Sequence, residues 1–272
     1  MATINIHGNR IYYEIKGNLN SLKTLVFLNG VMASTSSWFP LIDNLDLKDL
    51  KILLFDFKGQ LKSDKPTGPY SFKEHAEELN LLLEQLNIFK AHFIGTSYGA
   101  EVGMQFSIMF KDKVESLVLI NAASELDASL SRQVMVWKRL AQSYDGYHFF
   151  KVMAPMIYHE AYIKTHEADL EKRAQVMKQL DPSYFDGQIA LYDTFLDDLN
   201  LTESLEFIQT NVLVIGSEFD YLKPLKFSQL IHQKIKHSEY VIIPNCGHVA
   251  IFEKPNELAT VIMGFIHKNL KN

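Results

Sequence analysis

The chain has 272 residues, of which 47% are hydrophobic and 22% are charged, and its formal net charge is −5. This composition is typical of a globular protein with a large core, and the mildly acidic balance argues against nucleic acid or an anionic membrane as a partner. The single cysteine, Cys246, excludes an intrachain disulfide. Neither a signal-peptide pattern nor an apolar stretch of roughly 20 residues is present, so we expect a cytoplasmic protein.

Short runs rich in Val, Ile, Leu and Phe predict the strands of one sheet. Thr3–His7 and Arg10–Ile15 are joined at Gly8-Asn9 and predict a hairpin at the sheet edge. The later runs are almost continuously apolar, which is typical of strands that are covered on both faces of the sheet. These runs are Thr24–Asn29, Lys51–Phe55, Ala91–Gly95, Ser116–Asn121, Val212–Gly216 and Glu239–Ile243.

Helical patterns separate these runs. Ser71–Leu86 opens with a capping-box pattern and carries leucines at helical spacing, and Tyr98–Phe110 and Asn256–Asn269 are helical in the same sense. Strands that alternate with helices predict an α/β fold with a mostly parallel central sheet flanked by helices.

The strand rhythm stops after Asn121 and returns only at Val212. Helical patterns rich in Met, Tyr and Phe fill the interval, which predicts an all-helical cap inserted between two strands. We therefore expect residues 1–124 and 206–272 to form the core and residues 125–205 to form the cap.

The segment Gly95–Gly99, with the sequence GTSYG, lies between a predicted strand and a predicted helix. A Gly-x-Ser-x-Gly string in this context is typical of a nucleophile elbow, in which a sharp turn exposes the serine hydroxyl above the sheet. Glycines on either side avoid collisions at the turn. The pattern predicts that Ser97 is a nucleophile.

A serine hydroxyl needs a base, and His248 is the best candidate. It follows the late strand Glu239–Ile243 in a loop and is preceded by Gly247. His148, His159 and His166 lie in the insertion, but they lack the spacing and the carboxylate neighbours of a metal site. We expect neither a metal nor another cofactor.

The base in turn needs a carboxylate to orient it. Asp220 follows the strand Val212–Gly216 and is the predicted third member of a catalytic triad. Glu218 lies nearest to it as an alternative, and Glu125 and Asp127 follow the earlier strand that ends at Asn121.

The order Ser, Asp, His along the chain resembles that of the α/β-hydrolases. The segments Asp56–Gln60, Ser63–Pro66, Gly247-His248 and Phe252–Pro255 are also similar to recurring segments of members with a helical cap, in the group of lactonases, esterases and carbon–carbon hydrolases.

This resemblance implies an oxyanion hole built from the backbone N–H groups of Val31 and Tyr98. Asn29 stands where many members carry histidine, and enol-lactonase-like members can carry Asn or Ser nearby. Asn29 is therefore a predicted substrate contact, and it favours a lactone or an ester.

Aromatic residues of the insertion, among them Trp137 and Tyr158, predict an apolar lining above the site, although they equally fit a role in packing the cap. The sequence thus predicts a serine hydrolase that cleaves a small, largely apolar ester, lactone or thioester through an acyl-enzyme on Ser97, with a small acyl compound as its substrate. A ligand-sensing protein with slow turnover and a carbon–carbon hydrolase are the alternatives.

Overall fold

The computed structural model describes residues 2–270. Each predicted strand is present, with ends within two residues of the prediction: β1 (Ala2–Ile6), β2 (Asn9–Gly17), β3 (Thr24–Leu28), β4 (Lys51–Phe55), β5 (Ala91–Thr96), β6 (Val114–Ile120), β7 (Asn211–Ser217) and β8 (Ser238–Ile243). They form one sheet in the order β1-β2-β4-β3-β5-β6-β7-β8. The pairs β1–β2 and β2–β4 are antiparallel and every other pair is parallel, which confirms the predicted mostly parallel sheet with a hairpin at its edge.

Helices follow the strands as the alternating pattern predicts. Their bounds are α1 (Phe39–Ile42), α2 (Phe72–Gln85), α3 (Tyr98–Met109), α4 (Ala128–Ala141), α5 (Gly146–Ile157), α6 (Glu160–Thr165), α7 (Glu167–Met177), α8 (Pro182–Asp198), α9 (Leu225–Lys234), α10 (Ala250–Glu253) and α11 (Pro255–Asn269). The hydroxyl of Ser71 accepts a hydrogen bond from the Glu74 N–H and caps α2 as predicted. Within residues 2–270, no helix is both long and apolar enough to cross a lipid bilayer.

Both faces of the sheet are covered, which explains the continuously apolar strands. In β5, Phe93 packs into one hydrophobic layer and its neighbour Ile94 into the other. Helices α2, α3 and α9 contribute to the first layer, and α1, α10 and α11 contribute to the second. Since successive side chains of a strand point to opposite faces, a central strand that is covered on both faces is apolar at most of its positions.

The helices α4 to α8 all lie between β6 and β7 in the chain, where the strand rhythm stops. An isolated bridge between Glu125 and Asn200 closes the base of this segment. Its inner residues, such as Phe149, Met153 and Phe185, are buried in the same hydrophobic layer as α3. The segment packs on the core as an all-helical cap. The limits of the cap, residues 125–205, remain a prediction.

Candidate active site

Three predicted residues meet at one edge of the sheet. Ser97 follows β5, Asp220 follows β7 and His248 follows β8, so each lies just beyond the carboxyl end of a parallel strand. The carboxyl ends of parallel strands share one edge of a sheet, where α/β proteins bind their ligands. The topology therefore brings together side chains that are up to 151 residues apart in the chain.

The backbone of Ser97 is strained in the way that the GTSYG pattern predicts. Its φ of 49° and ψ of −119° lie in a region that residues other than glycine rarely adopt. A Cβ atom at Gly95 would come within 2.6 Å of the Gly99 carbonyl oxygen, and one at Gly99 within 2.0 Å of the Leu28 carbonyl oxygen. Only glycine fits at these two positions, and the tight turn presents the Ser97 hydroxyl at the start of α3.

Hydrogen bonds link the three side chains in series. Ser97 Oγ lies 3.0 Å from His248 Nε2, and His248 Nδ1 lies 2.7 Å from Asp220 Oδ2. The second oxygen of Asp220 accepts hydrogen bonds from the N–H groups of Leu222, at 3.0 Å, and Lys223, at 2.7 Å. Asp220 and His248 are buried, with 3% and 5% of their surfaces exposed, so water does not compete for these bonds.

The competing carboxylates are engaged elsewhere. Glu218 accepts a hydrogen bond from the Asn245 N–H, and Glu125 accepts one from the hydroxyl of Thr202. Asp127 caps α4 and pairs with an exposed lysine, Lys226. Of the four carboxylates that the sequence leaves open, the structure brings only Asp220 to His248.

Val31 and Tyr98, the two residues predicted to form an oxyanion hole, lie beside Ser97. Val31, in the loop after β3, and Tyr98, the first residue of α3, both line a small cavity next to the serine. Within residues 2–270, neither N–H donates a hydrogen bond to another backbone or side-chain atom. Both donors are therefore free to bind an oxygen atom there.

The loop that carries Val31 is held by Gln60, a residue to which the sequence analysis gives no separate role. Its Nε2 donates to the Gly30 carbonyl at 2.8 Å, and its Oε1 accepts from the Phe57 N–H at 3.0 Å. Gln188, on α8 of the cap, also donates to the Val31 carbonyl at 3.2 Å. The position of the Val31 N–H thus depends on two buried amides.

Asn29 does not lie in the wall of either cavity beside Ser97. Its side chain is fully buried, donates to the Phe55 carbonyl, Asp56 and Gln60, and accepts from the indole N–H of Trp38. All of its polar atoms are used within the core, so the geometry does not support the predicted substrate contact. Asn29 instead anchors the start of the loop that carries Val31.

Two cavities meet at Ser97. The larger, of about 450 Å³, borders His248 and extends beneath the cap, where its wall includes Phe150, Met153 and Tyr158. The smaller, of about 20 Å³, borders Val31 and Tyr98. Trp137 lines both cavities and Tyr158 lines only the larger one, so both predicted cap residues do face the site.

The sequence profile of the alpha/beta hydrolase fold family matches residues 23–255. The chain belongs to this family. An alpha/beta hydrolase enzyme from a Medee basin deep-sea metagenome library, MGS-M2, is 30% identical and superimposes with a TM-score of 0.92 over 98% of this chain and 97% of its own. The enol-lactonase of Burkholderia xenovorans LB400 is 20% identical over 98% and 100% of the two chains, with a TM-score of 0.89, and shows the same fold.

Curated relatives of this α/β-hydrolase cover nearly its whole length. A Pantoea ananatis protein, named provisionally as the carbamate hydrolase RutD, is 24% identical over 95% of this chain and 94% of its own. The poly(3-hydroxyalkanoate) depolymerase of Ectopseudomonas oleovorans is 24% identical over 98% and 92% of the two chains. Family and relatives together support a hydrolase.

This α/β-hydrolase also carries a buried ion pair next to Ser97 that the sequence analysis missed. Lys223 Nζ lies 3.0 and 3.1 Å from the two carboxylate oxygens of Glu101 and 3.3 Å from Ser97 Oγ. Burial raises the pKa of the Glu101 carboxyl, while the Lys223 ammonium and the Ala123 N–H oppose this rise. A glutamate inside the apolar sequence of α3 is the one signal that could have indicated such a pair.

A second missed residue connects the cap to the loop that carries His248. The carboxylate of Glu253 accepts hydrogen bonds from the Gly247 N–H, at 3.1 and 3.2 Å, and from the His159 N–H of the cap, at 3.1 Å. The Val249 N–H donates to the Ile157 carbonyl, also in the cap. The backbone on both sides of His248 is thus tied to the end of α5.

The wall of the larger cavity contains a cation that the sequence did not indicate. Arg173, on α7, donates to the hydroxyl of Tyr158 at 2.7 Å, and its guanidinium carbon lies 4.3 Å from the centre of the Phe252 ring. These contacts fix the tyrosine against the cavity. In the described range 2–270, no group of three or more His, Cys, Asp or Glu side chains has an arrangement that could hold a metal ion.

Proposed function

We propose that the protein is a serine hydrolase that cleaves a small, largely apolar ester, lactone or thioester through an acyl-enzyme on Ser97. The observation that carries the proposal is the hydrogen-bonded series of Ser97, His248 and Asp220 on a strained strand-to-helix turn. A nucleophile, a base within hydrogen-bond reach and a third group that orients the base are what acyl transfer by serine requires. No cofactor enters the proposed chemistry.

Acylation begins when Ser97 Oγ attacks the substrate carbonyl carbon and its proton passes to His248 Nε2. Asp220 holds the imidazole with Nδ1–H toward itself, which leaves Nε2 free to accept that proton. The Val31 and Tyr98 N–H groups would bind the oxygen that becomes negative in the tetrahedral intermediate, and one such donor is typically worth roughly 10²–10³ in rate. His248 then protonates the leaving group, and the carbonyl re-forms as an ester of Ser97.

Deacylation repeats these steps with water as the nucleophile. Water gives its proton to His248 Nε2 and attacks the acyl carbon. The bond between that carbon and Ser97 Oγ then breaks, and His248 returns the proton to Oγ. The free acid leaves, and the site regains its starting protonation state.

The two cavities suggest which part of the substrate lies where. The leaving group must lie beside His248, which protonates it, and the larger cavity borders this residue. The acyl remainder then faces the smaller cavity of about 20 Å³, which has room for little more than one methyl-sized group. We therefore expect short acyl groups, such as acetyl, joined to larger and mostly apolar alcohols or thiols.

The names of the relatives are compatible with this chemistry. Carbamates and polyesters, which the names of two relatives denote, both present a carbonyl carbon that bears a leaving group. Attack of a serine on such a carbon is the step that the Ser97 geometry favours.

The test measures turnover of p-nitrophenyl acetate and labelling by a fluorophosphonate, followed by peptide mapping. We expect the protein to hydrolyse the ester, the label to lie on Ser97, and Ser97→Ala to lose both properties. Ser129→Ala, which removes an exposed hydroxyl from the cap helix α4, is the matched control and should retain both. If the protein binds esters without turnover or labelling, the hydrolase proposal fails and ligand sensing replaces it.

A further inference from the structure

The ammonium group of Lys223 touches the oxygen atom that would carry the acyl group. Nζ lies 3.3 Å from Ser97 Oγ, and the side chains of Lys223 and Glu101 are only 2% and 0% exposed. This is a charged pair in the interior, in direct contact with the strained serine.

Such a pair is a poor means of stabilising a fold. Removal of two charges from water costs several kcal/mol per ion, and well-packed apolar residues in place of a buried pair often leave stability equal or higher. A buried pair at the nucleophile therefore calls for a reason in the chemistry of the site. Groups that serve activity at the expense of stability are a common feature of active sites.

The geometry fixes the ammonium as a donor to Ser97. Its three N–H bonds are matched by three acceptors, namely the two carboxylate oxygens of Glu101 and Ser97 Oγ. The Ala123 N–H donates to Glu101 at 2.8 Å, and the Phe195 ring lies 4.8 Å from Nζ. Glu101 lies in the first turn of α3, the helix that begins immediately after Ser97. It therefore holds the Lys223 ammonium at a fixed position relative to the Ser97 hydroxyl.

We propose that Lys223 is a further catalytic residue, which stabilises negative charge on Ser97 Oγ when the acyl-enzyme breaks down. The proposal rests on the proposed function, since it needs an acyl-enzyme on Ser97. In this step the bond between the acyl carbon and Oγ breaks, and its electron pair goes to Oγ. His248 supplies the proton to Oγ, while Lys223 keeps its own protons and contributes only a charged hydrogen bond.

Lys223 should assist deacylation more than acylation. In acylation, a donor to Oγ lowers the pKa of the hydroxyl but also makes the oxygen less nucleophilic, and the two effects partly cancel. In deacylation Oγ is the leaving atom, so the charged hydrogen bond lowers the barrier to collapse of the tetrahedral intermediate, with no opposing loss of nucleophilicity. This asymmetry separates a chemical role from a structural one, because a loosened fold would slow both steps.

The experiment is a stopped-flow burst measurement with p-nitrophenyl acetate, which separates the release of nitrophenol from the slower steady state. In Lys223→Met we expect the deacylation rate constant to fall about 10- to 100-fold, as befits the loss of a charged hydrogen bond. The acylation rate constant should fall by less than about fivefold, because the two effects on the attacking oxygen partly cancel. Acetyl-enzyme on Ser97 should therefore accumulate and be visible by intact-mass spectrometry.

Two further variants keep the test decisive. Lys223→Met leaves Glu101 buried without its partner, so the double variant Lys223→Met/Glu101→Met removes both charges and restores a neutral interior. It should show the same selective loss of deacylation. Lys226→Met, which removes an exposed lysine three residues further along the chain, is the matched control and should leave both rate constants unchanged.

Equal losses in acylation and deacylation, or wild-type deacylation in the folded double variant, would overturn the proposed role of Lys223. A wild-type protein that neither hydrolyses the ester nor takes the fluorophosphonate label on Ser97 would instead overturn the proposed function itself, and the role of Lys223 would fall with it. Turnover and labelling of the wild-type protein therefore distinguish these two failures, whether or not its acyl-enzyme accumulates.

Discussion

The carboxylate of Asp220 contacts His248 with one oxygen, at 2.7 Å from Nδ1, and binds two backbone N–H groups with the other. An asparagine can preserve the backbone bonds with its carbonyl oxygen, but its NH₂ group then donates to Nδ1. The imidazole would be forced to carry its proton on Nε2, where it cannot accept the proton of Ser97.

We therefore predict that Asp220→Asn folds normally but lowers kcat by as much as ~10⁴. Steady-state hydrolysis of p-nitrophenyl acetate measures the loss, and circular dichroism checks the fold. Glu218→Gln, on the same loop but bonded to the Asn245 N–H, is the control and should retain wild-type kcat. A variant at Asp220 with nearly full activity would show that His248 does not need this carboxylate.

The two predicted cap residues should affect substrate preference differently. Trp137 lines both cavities, and because it forms part of the wall of the smaller one, Trp137→Ala should admit longer acyl groups and raise their relative rate about fourfold per methylene. An acetyl-to-hexanoyl series of p-nitrophenyl esters measures this change. The same loss for every ester would mean that Trp137 only packs the cap.

Tyr158 lines only the larger cavity, so it should affect the alcohol part of the substrate. Tyr158→Ala should change the preference among acetate esters of small and bulky alcohols, while the acyl preference stays the same. Tyr158→Phe, which keeps the ring but removes the bond to Arg173, serves as the control. If Tyr158→Ala shifts the acyl series instead, the two cavities have been assigned the wrong way round.

Gln60 should affect catalysis without touching the substrate, because it holds the Gly30 carbonyl next to the Val31 N–H. Gln60→Leu should lower kcat about tenfold at unchanged KM, a smaller loss than complete removal of an oxyanion donor causes. Gln85→Leu, at an exposed position on α2, is the control. Unaltered kcat in Gln60→Leu would show that the loop keeps its position without this amide.

His75 should make the protein less stable in mild acid. It lies among the rings of Phe57, Tyr70 and Tyr98, and burial, with a smaller effect of the Lys58 charge, lowers its pKa to about 3 from its usual 6.5. Below pH 6.5 the unfolded chain binds a proton that the folded protein does not bind until about pH 3. The free energy of unfolding should then fall by about 1.4 kcal/mol per pH unit from this group as the pH drops below 6.5.

Urea unfolding at pH 7 and pH 5 tests this effect. His75→Phe should lose about 2 kcal/mol less stability between the two pH values than the wild-type protein. His237→Gln, at an exposed position before β8, should behave like the wild type. An identical loss in His75→Phe and wild type would mean that the His75 ring is protonated in the folded protein.

The sequence predicts the sheet and the place of the serine because both depend on local patterns. An apolar run of five residues predicts a buried strand, and Gly95 and Gly99 are needed for steric reasons within a five-residue turn. Asp220 is harder to predict because several carboxylates follow strand ends. Only the topology shows which of them reaches His248.

The contacts that sequence reasoning misses join distant segments through single side chains. Lys223 and Glu101 are 122 residues apart, and nothing in the pattern around Lys223 shows that it points inward. For Asn29, the sequence places the residue correctly beside the loop that carries Val31. The direction of its amide depends on Trp38 and Gln60, which only the packed structure reveals.

Glu253 holds the cap through a contact that leaves the cap's sequence free to change. On the cap side, Glu253 binds the His159 N–H, and the neighbouring Val249 N–H binds the Ile157 carbonyl, so both cap partners are backbone groups that nearly any residue supplies. Burial raises the pKa of the Glu253 carboxyl, and the N–H groups of Gly247 and His159 counteract this rise. Substitutions can therefore accumulate along the cap and reshape the cavity over evolutionary time, while the loop that carries His248 keeps the same attachment. A lineage with this arrangement can exchange one substrate for another without rebuilding its catalytic histidine.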